Sequence, residues 1–210
     1  MSDPARRLLF LPPPGFEVGK LLYVGTGCLC VAFMPYWLNW LRRACPGTEV
    51  LPIITRNAER FVTRGALAAL SGREVALDVW AGHPEPQAAP HVNLAQWPEA
   101  IVVHPASMHF VSRLALGIAD TPVLLALQCT GAPIVVAPAL PPGALTSAAY
   151  RRHRDALAER GNVVVVPPIP GSSVTGTACD AAVAAPLPEA LATLGPAHPD
   201  PGEPATTWAP

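Results

Sequence analysis

Five short apolar runs recur between residues 21 and 166, and each is about as long as a buried β-strand. Stretches compatible with helices separate most of these runs. Strands that are apolar on both faces and alternate with helices are typical of a doubly wound parallel sheet with right-handed crossovers. Because 210 residues amount to about one domain, we predict a single α/β domain of this kind. The predicted strands are 21–24, 50–54, 100–103, 134–137 and 163–166, and the predicted helices are 29–43, 58–70, 112–119 with a continuation toward residue 128, and 146–160.

Both ends of the chain differ from this alternating pattern. We predict an N-terminal extension over residues 1–18, the domain itself over 19–170, and a C-terminal loop or flap followed by a Pro-rich tail over 171–210. The Pro-rich, aperiodic composition from Pro186 onward predicts an irregular segment.

The low charge of the chain excludes some classes of partner. Charged residues make up 14% of the sequence and the formal net charge is -1, so no basic surface is expected that would neutralise a run of phosphates. Nucleic acid is therefore not an expected partner.

The segment between Lys20 and Arg42 carries no charge and has the hydropathy of a membrane span, but Gly25, Gly27 and Pro35 interrupt it. We predict a strand, a turn and a helix of a soluble core there, and no membrane association.

The five cysteines do not suggest a disulfide framework. Their number is odd, and the N-terminal sequence has no signal-peptide pattern, so we expect reduced thiols and a cytoplasmic location. The chain contains no pair of Cys-x-x-Cys motifs, and we expect no structural metal site.

Ligands of doubly wound sheets bind outside the carboxyl ends of the strands, so the loops after the apolar runs are the candidate sites. Gly25-Thr26-Gly27 follows the first run and opens a predicted helix, where free backbone N–H groups and the Thr26 hydroxyl suit a phosphate. This loop is shorter than the dinucleotide fingerprint and lacks the acidic residue that follows it. A mononucleotide fits the pattern better.

Two further loops supply candidate groups. Thr55 follows the second run, where it can cap a helix and face the same crevice, and Phe61 lies close to two helical turns beyond it. The run 100–103 stops on Pro105-Ala106-Ser107, which offers small side chains and backbone N–H groups, and His91 stands just upstream. A purely structural interpretation is also open for three of these residues. Thr55 would be an ordinary N-cap, Phe61 a core phenylalanine, and His91 a surface or capping imidazole.

Seven motifs occur in a recognisable order from about residue 20 to 140. They are Gly25-Thr26-Gly27; residues 55–62; residues 69–72 with Asp78-Val79-Trp80; residues 91–95; Pro105-Ala106-Ser107; residues 117–120; and residues 133–139. In this order they resemble the flavoprotein family of cysteine decarboxylases. That family includes the lantibiotic peptidyl-cysteine decarboxylases, the phosphopantothenoylcysteine decarboxylases and, more distantly, the flavin prenyltransferases.

The resemblance implies an FMN-binding, Rossmann-like (flavodoxin-like) fold that forms trimers, with the flavin at a subunit interface and often four trimers in a dodecamer. By position, Gly25, Thr26, Gly27 and Ser107 would serve the phosphate region, Thr55 and Phe61 would lie along the flavin, and Ala106, Ser107 and Met108 would approach its ring system. His91 matches the active-site histidine of the family.

The family's chemistry explains why a flavin and a base are both needed. A cysteine carboxylate loses carbon dioxide only when the resulting electrons have an acceptor. Transfer of a hydride from the β-carbon to the flavin gives a C=S group that fills this role. We expect His91 to supply the acid–base step, because an unperturbed imidazole titrates at about 6.5.

Departures from the family pattern concern the substrate. Where the family usually continues Pro-Ala-Ser with Ala-Asn-Thr, this chain has Met108-His109-Phe110, so we predict Met108 and His109 as substrate-binding residues, with His109 donating to a carboxylate in place of the asparagine. Residues 138–145 likewise replace a Pro-x-Met-Asn-x-x-Met-Trp motif. No substrate residue is carried over from that motif.

The sequence around Cys179 indicates whether the enethiol product is reduced further. Cys179 follows an alanine but lacks the glycine of the Ala-Cys-Gly motif whose cysteine reduces the enethiolate in phosphopantothenoylcysteine decarboxylases. We therefore predict that the product stays an enethiol, as in peptidyl-cysteine decarboxylases that prepare an aminovinyl-cysteine ring. The expected substrate is a ribosomally made precursor peptide with a C-terminal cysteine. The alternatives are a phosphopantothenoylcysteine decarboxylase of coenzyme A biosynthesis and a non-catalytic flavoprotein-like binding subunit.

Overall fold

A computed structural model of the chain describes residues 12–80, 89–172 and 181–194. Within these residues, six strands form one parallel sheet in the order β3-β2-β1-β4-β5-β6. The order reverses between β1 and β4, which makes the gap between their carboxyl ends the switch point of the sheet. The doubly wound α/β fold predicted from the sequence is thereby confirmed. The strands are β1 (Lys20–Gly25), β2 (Glu49–Ile54), β3 (Ala76–Leu77), β4 (Ala100–Ser107), β5 (Ile134–Ala139) and β6 (Val163–Val165).

Helices cover both faces of the sheet. Two of the helical segments that follow strands begin as 3-10 turns, over Leu29–Phe33 and Arg56–Arg60. The segment predicted as 112–119 continuing toward 128 is two helices, because Gly117 adopts a left-handed conformation with φ 70° and ends the first one. The α-helices are α1 (Met34–Ala44), α2 (Arg64–Ser71), α3 (Pro90–Gln96), α4 (Met108–Ala115), α5 (Pro122–Cys129), α6 (Ala148–Ala158) and α7 (Leu187–Ala192).

The hydrophobic core lies on the two faces of the sheet, and alternate residues of each central strand enter opposite faces. Tyr23 packs with α1 and α7 on one face, whereas Leu22 packs with α4, α5 and α6 on the other. Phe16 and Val18 pack against the first of these faces, although both lie in the predicted N-terminal extension. Among residues 12–80, 89–172 and 181–194, no helix is both long enough and apolar enough to span a membrane.

The C-terminal part is more regular than the sequence suggested. Two short strands, β7 (Ile169–Gly171) and β8 (Ala181–Val183), follow β6 and pair with each other antiparallel. The prediction of an irregular segment from Pro186 onward was wrong for residues 187–192, which form α7. Leu187, Ala190 and Leu191 are fully buried. Their spacing of three and four residues is helical, and proline is tolerated in the first turn of a helix, so the high proline content concealed a short helix. Cys179 lies outside the described residues.

Candidate active site

A cavity of about 430 Å³ lies at the carboxyl ends of β1, β2, β3 and β4. Five residues that the sequence predicted as site residues line it together: Thr26, Gly27, Thr55, Ser107 and His109. Its volume is within the range of small-molecule and cofactor sites. The other lining residues are Arg56, Asn57, Asp78, Val79, Phe110, Arg113 and Thr121.

Thr26 joins the loops after β1 and β4. Its buried hydroxyl donates to the carbonyl of Pro105 at 2.7 Å and accepts from the N–H of Ser107, also at 2.7 Å. The Thr26 N–H donates to the same Pro105 carbonyl at 3.2 Å. Because these bonds occupy its hydroxyl, Thr26 fixes the shape of the cavity floor.

The two glycines of the first loop serve close packing. A Cβ on Gly25 would lie 2.7 Å from the Met34 sulfur and 2.9 Å from a Val31 methyl group. A Cβ on Gly27 would overlap the Cβ of Asn57. The loops after β1 and β2 therefore approach each other with backbone exposed to the cavity, and any side chain at position 27 would force them apart.

Backbone N–H groups border the cavity at the start of α4. Ser107 is the N-cap of this helix and its hydroxyl accepts from the Phe110 N–H at 3.3 Å. The first N–H groups of an α-helix have no acceptor within the helix, so the start of α4 places the positive end of a helix dipole at the cavity. The exposed guanidinium of Arg56 adds positive charge, since it has no ion-pair partner among the described residues. This part of the cavity suits an anion.

Several predicted site residues do not line this cavity. Gly25 and Ala106 are not among its lining residues; both are buried, at the ends of β1 and β4. Met108 packs partly buried against the core on the α4 side of the sheet. Phe61 is 40% exposed just after the 3-10 turn that follows β2. For these residues the predicted flavin and substrate contacts remain predictions.

Asp78 was part of a sequence motif but had no predicted role. Its buried carboxylate accepts from the Thr121 hydroxyl at 2.8 Å and from the Val123 N–H at 2.9 Å. Burial raises the pKa of Asp78 above its ordinary value, and these two hydrogen bonds offset part of that effect. The carboxylate lies at the N-terminus of α5, where a negative charge is favourable, so it ties the end of β3 to that helix.

His91 lies on the first turn of α3, which the sequence did not predict, and is not among the lining residues. Its ring contacts Trp80 edge-to-face, with centroids 5.6 Å apart and planes at 66°. The Trp80 indole N–H donates to the Asp120 carbonyl at 2.9 Å, and the Asp120 carboxylate pairs with Arg113 of the cavity wall. A chain of contacts thus leads from the cavity to His91.

Cys28 directly follows Gly27 but does not provide a nucleophile. Burial raises the pKa of its thiol to about 12, so it stays protonated near neutral pH.

The family model described as Flavoprotein matches residues 17–189 of this chain. The chain belongs to the Flavoprotein family. Membership confirms the resemblance drawn from the seven motifs, all of which fall within the matched residues. It also agrees with the position of the cavity, at the switch point where doubly wound sheets bind their ligands.

Two relatives each match 60% of the chain. The chain is 38% identical over 128 residues to a protein of Streptomyces sp named cypemycin cysteine dehydrogenase (decarboxylating), a match that covers 60% of this chain and 66% of that protein. It is 37% identical over 130 residues to the coenzyme A biosynthesis bifunctional protein of Mycobacterium tuberculosis, covering 60% of this chain and 29% of the relative. The matched segments thus span less than two thirds of both relatives.

Solved structures of this fold cover more of the chain. The crystal structure of the cypemycin decarboxylase CypD superposes with a TM-score of 0.70 at 31% identity, over 86% of this chain and 94% of that one. The FMN-dependent cysteine decarboxylase SpaF gives a TM-score of 0.65 at 25% identity, over 83% and 95% of the two chains.

Proposed function

We propose that this chain is an FMN-dependent decarboxylase that acts on the C-terminal cysteine of a ribosomally made peptide and releases an enethiol. The observation that carries the proposal is the cavity at the switch point, which five of the predicted site residues line together. The likeness to cypemycin decarboxylase over 86% of the chain supports the same activity.

The cavity residues fit a flavin mononucleotide. The close approach of Gly27 to Asn57 leaves no room for a side chain at position 27, so the backbone of the first loop borders the cavity, and we call this backbone and the adjacent start of α4 the cradle. Ser107 and Arg56 add a hydroxyl and a positive charge that suit a single phosphate. We assign the phosphate to Gly27, Ser107 and the start of α4, and the flavin ring to the wall next to Thr55.

The chemistry divides between the cofactor and the chain. When bound, the flavin supplies a two-electron oxidation at the cysteine side chain, which no amino acid side chain provides. His109, exposed at the first turn of α4, donates a hydrogen bond to the substrate carboxylate together with the local N–H groups. His91 exchanges a proton with the substrate through Nε2, because its Nδ1 is buried without a hydrogen-bond partner among the described residues.

A homotrimer is part of this proposal. His91 does not line the cavity of its own chain, so we infer that it completes the cavity of a neighbouring copy. Large exposed apolar side chains beside the first loop support such an assembly: Leu29 is 52% exposed, Phe33 62% and Tyr36 54%. A further arrangement of trimers into a dodecamer and a cytoplasmic location remain predictions from the sequence.

The activity is tested with two substrates. Purified protein with bound FMN is incubated with a peptide that ends in cysteine and, separately, with phosphopantothenoylcysteine. We expect the peptide alone to lose the mass of carbon dioxide and two hydrogens. Loss of carbon dioxide from phosphopantothenoylcysteine alone would instead assign the chain to coenzyme A biosynthesis, and no bound flavin with no mass change would contradict both.

The role of His91 is tested by substitution. His91→Asn should keep bound flavin and lose turnover by about 10²- to 10⁴-fold, the usual contribution of a general acid or base. Mixing it with a flavin-free Gly27→Ala chain should restore part of the activity, since one chain then supplies the cavity and the other His91. No recovery in mixed trimers verified by mass would show that each site is built from one chain.

A further inference from the structure

The His91 ring is held without hydrogen bonds among the described residues. It is half-buried on the first turn of a seven-residue helix, and the residue before that helix makes no side-chain cap. Its Nδ1 is buried and has no partner there, whereas Nε2 is not buried in this way. The edge-to-face contact with Trp80 is therefore the specific interaction that orients the imidazole.

Trp80 has an anchor of its own. Its indole N–H is bonded to the Asp120 carbonyl at 2.9 Å, in the turn before α5, and Asp120 is paired with Arg113. Trp80 is nevertheless 45% exposed. Trp80 is fixed at one edge of its ring and is half exposed, so it contributes little to the hydrophobic core. Burial of the indole therefore does not explain its contact with His91.

We propose that Trp80 is a positioning residue for His91, holding the imidazole in the one rotamer that turns Nε2 outward to the substrate. The inference rests on the proposed function, because it assumes that His91 exchanges the proton. A histidine on a short helix without this contact samples several side-chain rotamers, and only a fraction of the molecules would then be competent at any moment.

Two substitutions separate the parts of this contact. Trp80→Leu removes the aromatic ring, and we expect kcat to fall about tenfold while KM and bound FMN stay within about twofold, as an aromatic pair of this geometry would predict. Trp80→Phe keeps a ring but loses the N–H that bonds to Asp120, and we expect it to recover most of the lost kcat. Val92→Ala, a change at a 39% exposed neighbour on α3, is the matched control and should leave kcat unchanged.

A double-mutant cycle and a spectrum distinguish positioning from a general structural effect. In the His91→Asn background, measured by single turnover, Trp80→Leu should cause no further loss, because its effect passes through the missing imidazole. In histidine-labelled protein without substrate, the Hα–Hβ couplings of His91 should report one χ1 rotamer in the wild type and an average over several rotamers in Trp80→Leu. The six histidines of the chain make the His91 signal assignable by its loss in His91→Asn.

The outcomes are distinguishable. An active wild type with an unchanged Trp80→Leu kcat, or an equal loss in both backgrounds, overturns the positioning role and leaves the proposed function intact. A flavin-bound wild type that decarboxylates neither substrate overturns the proposed function, and the inference with it. If Trp80→Leu loses its flavin, the His91 couplings are compared in the flavin-free wild type and flavin-free Trp80→Leu, and equal couplings in the two proteins overturn the positioning role.

Discussion

His104 makes the stability of this fold depend on pH. The side chain is 3% exposed, and its Nε2 lies 2.8 Å from the Ala185 carbonyl oxygen. A carbonyl only accepts, so Nε2 carries the hydrogen and Nδ1 accepts from the Tyr23 hydroxyl at 3.2 Å. Protonation of Nδ1 would turn the tyrosine into the acceptor, and its own hydrogen would then have no partner, since Tyr23 is fully buried.

The size of the effect follows from the two pKa values of this group. Burial lowers the pKa of His104 from 6.5 to about 4 in the folded protein. The unfolded chain therefore binds a proton at a higher pH than the folded chain does. The free energy of unfolding falls as the pH drops from about 6.5 to about 4 and is unaffected by His104 above that window. At about 1.4 kcal/mol for each pH unit between the two values, the full loss is about 3.5 kcal/mol, of which about 3 kcal/mol is reached at pH 4.

Urea unfolding of wild type and His104→Gln at several pH values between 7.5 and about 4 isolates this contribution. Glutamine keeps a donor for Ala185 and an acceptor for Tyr23 but does not titrate. Both proteins contain the same carboxylates, so these cancel in the difference between the two curves. We expect the wild type to lose about 3 kcal/mol more than the variant over this range, at one fixed flavin concentration because bound ligand shifts apparent stability. Parallel curves for the two proteins would refute the assignment.

Three other substitutions test the cavity. Gly27→Ala should abolish flavin binding, measured by equilibrium dialysis, because the new methyl group overlaps the Cβ of Asn57, whereas Gly65→Ala, with no atom within 4 Å, should bind flavin normally. Thr26→Val removes two buried hydrogen bonds and should lower the free energy of unfolding by about 2 to 4 kcal/mol in urea; a loss below about 1 kcal/mol would contradict its role as the link between the loops. His109→Ala should raise KM for the peptide without altering bound FMN, and an unchanged KM would exclude the carboxylate contact.

The parts of the site that the sequence predicted are those in which local chemistry determines local structure. The apolar run 100–103 predicts a strand, and the small residues Pro105-Ala106-Ser107 just after it predict where that strand ends. The same holds for Gly25-Thr26-Gly27. Once the sheet is parallel, both loops must reach the same edge. The bonds from Thr26 to Pro105 and Ser107 show that they do.

The residues that sequence reasoning missed act through partners far away along the chain. Asp78 and Thr121 meet although 43 residues separate them, and Arg113 and Trp80 meet only through Asp120. The spacing of apolar and polar residues along the chain does not reveal such a pairing, because the pairing depends on the order of the strands in space. Weak signals existed: a Thr-Pro pair at the start of α5, and Arg113 as a lone cation in an otherwise uncharged stretch.

The same distinction explains why the motifs identify a cofactor more firmly than a substrate. The cradle is made of backbone groups at Gly27 and at the start of α4, and its shape follows from the fold and a few small residues. Under the proposed function, recognition of a peptide would depend instead on side chains that can change without disturbing that shape, such as His109, which is exposed at the cavity. A family built this way can keep one redox site and vary what is brought to it. On this argument, exchanging His109 should change which cysteine carboxylate is accepted while the protein continues to bind the same flavin.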